Sequence, residues 1–199
     1  MKNSEHNTTP FILASTSLAR KKLLEDNGID FVVIPSEYEE DMTLPLSPIE
    51  LVKHLALGKA DNVAHRHPDS LVLGADTIVV FEDKVYGKPK TNAEAFEVLS
   101  MLSGTTHSII TGFALIHKNK NIHINDTDEA RIIFKMLSPE AISAYIETGE
   151  PFLHAGGYAA QKGGRHFIEK YEGDMDNIIG LPIKKIQGHL GNMQNRENV

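Results

Sequence analysis

Leu71-Val72-Leu73-Gly74-Ala75-Asp76-Thr77 is an apolar run that ends in two small residues, followed at once by an acid and a hydroxyl. Strand alternation puts Val72, Gly74 and Asp76 on one face and Leu71, Leu73 and Ala75 on the other. Asp76 is therefore expected just past the buried part of a strand, where open α/β sheets collect their ligand chemistry. A strand closing on an Asx-turn accounts for the same residues, because Asp and Thr both favour turns. The surrounding chain has to decide between the two readings.

Working outward, strand-like segments at Phe11 to Ala14, Phe31 to Ile34, Leu71 to Phe81, His107 to His117 and Ile122 to Lys135 alternate with helix-like ones. That order predicts an α/β architecture. Glu82-Asp83-Lys84 and Asn119-Lys120-Asn121 sit between β-rich runs and read as hairpin turns, so the sheet is expected to be mixed. Ser47-Pro48-Ile49-Glu50 and Thr91-Asn92-Ala93-Glu94 read as capping boxes, and Ser138-Pro139-Glu140 opens a third helix. Apolar residues at Ala95, Val98, Leu99 and Leu102, and at Ile142, Tyr145 and Ile146, recur at helical spacing and read as core.

The bulk properties narrow the function. A chain of 199 residues with 41% hydrophobic and 24% charged residues suits one globular domain. Residues 1–10 read as a disordered N-terminal segment, 11–187 as the domain and 188–199 as a polar tail, all from polarity alone. With Cys 0, disulfides and thiolate metal sites are excluded. A net charge of -7 argues against a broad nucleic-acid face and hence against DNA or RNA polymers, while allowing a local cationic pocket for a small anion. No apolar run approaches membrane-spanning length and the first ten residues lack a signal-peptide pattern, so a cytoplasmic protein is expected.

Several polar residues fall where apolar ones belong. In Leu13-Ala14-Ser15-Thr16-Ser17-Leu18-Ala19-Arg20 a strand gives way to hydroxyls and a helix start, which suits an anion. Arg20 lies one turn before Leu23 and Leu24, on the apolar face. Lys59 falls four residues beyond Leu55 on an apolar helix face, where it either snorkels to water or meets an anion. Lys88 precedes the rigid Pro89. Glu37, Glu39, Glu40 and Asp41, with Asp76, offer hard oxygen ligands for Mg²⁺, although a solvated acidic loop would look the same. Ala155 to Gln161 reads as a small-residue strand whose lone amide, Gln161, could read a base edge or simply end the strand. His65-Arg66-His67 reads as a solvated pair at a helix end, and no P-loop, dinucleotide fingerprint, zincin motif or serine elbow is present.

Taken in order, these segments resemble the Maf-type nucleoside triphosphate pyrophosphatases from about Phe11 to Pro182. The similarity rests on Leu13 to Arg20, Gly74 to Thr77, Gly87-Lys88-Pro89, Leu102-Ser103-Gly104 to His107 with Thr111-Gly112, Thr148 to Pro151 with Ala155-Gly156, and Glu172-Gly173-Asp174 with Asn177 and Gly180-Leu181-Pro182. The resemblance implies an elongated mixed sheet flanked by helices, with two lobes around a cleft, in the ITPase-like manner. It implies cleavage between the α and β phosphates of a nucleotide, with a divalent cation, Mg²⁺ or Mn²⁺, and a homodimer. By position, Asp76 matches the proton acceptor and a metal ligand, and Glu40 the metal-associated acid. Ser15, Lys59 and Lys88 match the phosphate contacts, and Arg20, Thr77 and Gln161 the specificity positions. The Ala-Asp-Thr form is similar to the dTTP/UTP branch rather than the methylated-guanine branch, with a modified pyrimidine nucleotide as a variant of that expectation. Leu18-Ala19 stand where the family has Pro-Arg, removing one of two neighbouring guanidiniums. A nucleotide-binding regulator of cell division and septum formation with little catalysis is the competing expectation.

Overall fold

The structure is a computed structural model and describes residues 10–197. The N-terminal segment expected to be disordered therefore lies, apart from Pro10, outside the described residues. Seven strands, β1 (Phe11–Leu13), β2 (Val32–Val33), β3 (Leu71–Phe81), β4 (Lys84–Tyr86), β5 (Thr106–His117), β6 (Ile122–Phe134) and β7 (Ile168–Glu172), form one sheet. Among the described residues six α-helices flank it: α1 (Leu18–Asp26), α2 (Pro48–Ala64), α3 (Asn92–Leu102), α4 (Pro139–Glu147), α5 (Met175–Ile179) and α6 (Ile183–Glu197). The sheet runs β2-β1-β3-β5-β6-β7, with β4 paired to β3. β1 is parallel to both of its neighbours and the remaining pairs are antiparallel, so the sheet is mixed as expected.

The edges of β3 decide where a ligand can approach. On one side β5 pairs with it from Val72 to Val80. On the other, β1 covers only Leu71 to Leu73 and β4 only Val79 to Phe81, leaving 74–78 with no partner strand. The β3–β4 loop is the tight hairpin its sequence suggested, with Glu82 and Asp83 at φ 48° and 60°, as a two-residue primed turn requires.

Helix α2 crosses one face of the sheet. Its start is a complete capping box, in which the Ser47 hydroxyl accepts from Glu50 N–H and Glu50 accepts from Ser47 N–H. The box expected at Thr91 is only half made: Thr91 accepts from Glu94 N–H, but the Glu94 carboxylate takes Lys90 N–H instead. The helix backbone lies directly on two glycines. A Cβ on Gly74 would stand 2.4 Å from the Ala56 carbonyl oxygen, and one on Gly112 would stand 2.6 Å from that of Val52. Only glycine lets α2 seat this close.

On the opposite face the apolar core is split. Leu13, Leu73, Ala75, Phe113 and Leu115 pack with Leu23, Leu24, Ile183 and Ile186 of α1 and α6. Val79, Ile109, Ile132 and Phe134 pack separately with α3 and α4. Thr77 and Thr111, a cross-strand pair, occupy the seam between the two clusters. This division gives physical content to the expected lobes.

β3 runs from Leu71 to Phe81, the bounds its sequence suggested, and the alternative of a strand closing on an Asx-turn at Asp76 fails because β4 and β5 supply partners beyond the acid. Two sequence expectations need correction. The segment Ala155 to Gln161 is not a strand: Ala155–Gly157 is a 3₁₀ turn with Gly156 and Gly157 at positive φ, which breaks any extended pairing. The polar residues from Gly188 onward continue α6 to Glu197 rather than forming a tail, since Leu190 and Met193 still pack on the core beside Ile186. Strand β7, Ile168–Glu172, was not anticipated. Its burial pattern, one buried residue followed by four exposed, carries little alternation for a sequence reading to detect.

Candidate active site

The open stretch of β3 lies beside the end of β1, and residues from three directions meet there. Asp76 sits mid-strand, opposite Gly112, on the face covered by α2. Since α2 rests on Gly74 and Gly112, Lys59 one turn beyond Leu55 is carried to it, and its ammonium lies 2.6 Å from Asp76 Oδ1. The same ammonium lies 2.8 Å from Glu40 Oε1, so one cation bridges two carboxylates. Lys59 and Asp76 side chains are only 11% and 10% exposed whereas Glu40 is 44% exposed, so the group opens to solvent on the Glu40 side.

Ser15 and Arg20 come from the β1–α1 junction. Ser17 caps α1, accepting from Arg20 N–H, and its own N–H donates to Ser15 Oγ at 3.2 Å. Arg20 is buried against the open strand edge. Its Nη1 donates to the Ala75 carbonyl at 2.8 Å and to Ser15 Oγ at 3.3 Å, its Nε to the Gly180 carbonyl at 2.9 Å, and its Nη2 to Thr77 Oγ1 at 3.0 Å. The guanidinium thus occupies part of the edge that no strand pairs. Burial lowers its pKa from the ordinary value, while the charges of Asp76 and Glu40 act in the other direction. Ser15 Oγ accepts twice, which leaves its proton free for an anion.

Thr77 faces away from Asp76, into the seam. Its hydroxyl lies 3.0 Å from that of Thr111, which donates to the Asn177 carbonyl at 2.9 Å. Asp76 and Thr77 are adjacent in sequence, yet they serve opposite faces of the sheet.

The structure brings Ser15, Arg20, Glu40, Lys59, Asp76 and Thr77 into one neighbourhood. Lys88 and Gln161 stand apart from these contacts, both exposed. Their loops are joined to each other, because Gly156 N–H donates to the Gly87 carbonyl at 2.9 Å. His154, within range of the positive charges of Lys88 and Lys162, lies between them in sequence. Sequence reasoning missed Thr111, Asn177 and Gly180 as parts of the frame. The threonine in the otherwise apolar run Ile109-Ile110-Thr111 was the available signal.

A bridged acid pair, an anion-ready helix start and a buried guanidinium at an open sheet edge define an α/β protein equipped for a phosphorylated ligand. The chain belongs to the Maf-like protein family, whose family model matches residues 10–193. It is 45% identical over 180 residues to a dTTP/UTP pyrophosphatase of Bacillus cytotoxicus, covering 90% of this chain and 93% of that protein. A dTTP/UTP pyrophosphatase of Bacillus cereus is 43% identical over 184 residues, covering 92% and 90%. Among solved structures, the Staphylococcus aureus Ham1 protein aligns with 63% of this chain and 72% of its own at a TM-score of 0.47 and 12% identity.

Proposed function

We propose that the protein is a nucleoside triphosphate pyrophosphatase that acts on dTTP, UTP or a related pyrimidine nucleotide. Water attacks the α-phosphorus, the bond from that phosphorus to the bridging oxygen breaks, and the nucleoside monophosphate and pyrophosphate leave. The observation that carries the reading is the buried Asp76 carboxylate, held by Lys59 at 2.6 Å beside an unpaired strand edge. In this reading Asp76 orients the water and takes its proton. Ser15, Lys59 and Lys88 meet the phosphates, and Arg20, with most of its donors already engaged, holds the strand edge and adds charge.

Glu40 and Asp76 fit a divalent cation. Their oxygens converge on one positive centre, for which the Lys59 ammonium stands in. Among the described residues no group of three or more acidic or histidine side chains could hold a metal ion. That donor poverty suits Mg²⁺ or Mn²⁺ completed by phosphate oxygens and water. When bound, such an ion neutralises charge on the polyphosphate.

Thr77 and Gln161 are assigned to base selection, and the substrate is a small nucleotide rather than a polymer. The reading carries a cytoplasmic location. Among the described residues no helix is long and apolar enough to cross a membrane. The homodimer is tested by sedimentation. The relatives are named as enzymes, which weighs against a regulator without catalysis. The test is pyrophosphate release from dTTP and UTP with added Mg²⁺ or Mn²⁺. Asp76→Asn is expected to lower turnover by about 10²- to 10⁴-fold. Full activity in that variant removes the assignment, and nucleotide binding without any turnover by the parent chain favours the regulator.

A further inference from the structure

Residues 35–38 run antiparallel to α2, from the turn that follows it to the middle of the helix. Arg66 Nη2 donates to the Pro35 carbonyl at 3.4 Å. The Asn62 side-chain oxygen accepts from Ser36 Oγ at 3.3 Å and from Glu37 N–H at 3.0 Å. The Tyr38 hydroxyl lies 3.0 Å from His54 Nε2, and its ring lies over Gly58, where an added Cβ would stand 2.4 Å from the ring carbon bearing the hydroxyl. His54, Gly58 and Asn62 are spaced four apart and so share one face of α2, while Arg66 lies in the turn that follows the helix. Gly58 is the member with no side chain, and the aromatic ring fills that gap. Two residues after Tyr38, Glu40 reaches Lys59, the neighbour of Gly58.

We infer that Tyr38 is a positioning residue: its ring, seated on Gly58, sets where the Glu40 carboxylate stands relative to Lys59 and Asp76. The inference deepens the proposed function and rests on Glu40 belonging to that site. Glu40 is otherwise an exposed carboxylate on a strand-free segment. Without the ring seated on α2, its oxygen would be spread over many positions and would seldom meet the Asp76 side of the pair. Gly58 matters for the space it leaves. It lies inside a helix with no positive φ, so alanine there gains helix propensity while pushing the flexible end of the tyrosine away.

The experiment measures Mn²⁺ binding by electron paramagnetic resonance on the full chain with the α,β-methylene analogue of dTTP, alongside thermal unfolding of each variant. Tyr38→Ala and Gly58→Ala are each expected to weaken Mn²⁺ binding by about tenfold, within the usual effect of groups that orient a metal ligand. The thermal midpoint of Gly58→Ala is expected not to fall, a combination that a general loss of packing does not produce. Tyr38→Phe keeps the ring and is expected to bind close to the parent. The double variant is expected to be no weaker than either single one, since both remove one contact. Parent-like Mn²⁺ binding in Gly58→Ala and Tyr38→Ala, with binding lost in Glu40→Gln, overturns the inference and leaves the proposed site standing. Parent-like binding in Glu40→Gln overturns the role of Glu40 and this inference together.

Discussion

At the residue scale, the molecule uses charge in two ways. Lys59 offers an ammonium between carboxylates, a point charge that can change partners. Arg20 spends its guanidinium on fixed neighbours, two of them backbone carbonyls, and behaves as part of the frame. His107 shows what a buried polar group without charge does. It is 3% exposed, its Nε2 lies 2.7 Å from the Tyr158 hydroxyl, and the Phe134 ring stands edge-on at 4.8 Å. Burial pushes its pKa down to about 4 from an ordinary 6.5. The unfolded chain thus binds the extra proton first, so stability is full above the ordinary value and is lost as pH falls through that window. Between pH 7 and pH 5 this group should cost about 2 kcal/mol, measured by urea unfolding. In His107→Gln the pH slope over that interval should flatten, whatever the variant's absolute stability.

At the element scale, the contact of α2 with β3 and β5 has the least tolerance. A methyl group on Gly112 would meet the Val52 carbonyl, which is backbone and has no rotamer to yield. Gly112→Ala should destabilise the protein by about 1 to 3 kcal/mol. It should also depress turnover by up to about 100-fold, because a helix lifted by an ångström carries Lys59 from Asp76. Denaturant midpoints and pyrophosphate release check the two effects. Long strands and capped helices were legible in the sequence because local chemistry dictates them: Ser47 with Glu50, and the alternation through Leu71 to Phe81. What was not legible depended on partners far along the chain. β7 exists because β6 offers an edge from Arg131 to Phe134. The strand expected before Gln161 fails because Gly156 must pass close to Val79 at positive φ. The same divide runs through the site, where Arg20 and Lys59 announced themselves as charges on apolar helix faces. Thr111 showed only as a hydroxyl in an apolar run, and Asn177 and Gly180 gave no such sign, because their carbonyls accept from Thr111 and Arg20, 66 and 160 positions away.

At the scale of the whole molecule, α1, which carries Arg20, packs on one apolar cluster, and the Gly156 and Gly157 turn, joined to Gly87, packs against Val79 and Leu99 of the other. A nucleotide that touches both would tie them together and add its binding energy to stability. With Mn²⁺ and the α,β-methylene analogue of dTTP at 100 times its dissociation constant, the protein should gain about 2.7 kcal/mol, read as a rise in the calorimetric midpoint. The seam also has a direction. The Asn177 carbonyl can only accept, so the Thr111 proton is committed to it, and the proton between the two threonines must come from Thr77. Thr77 therefore has lone-pair capacity to offer a ligand but no hydrogen. Under the proposed assignment of Thr77 to base selection, the group that meets it must bring its own proton. The N3–H of thymine or uracil does so, and the bare N3 of cytosine does not.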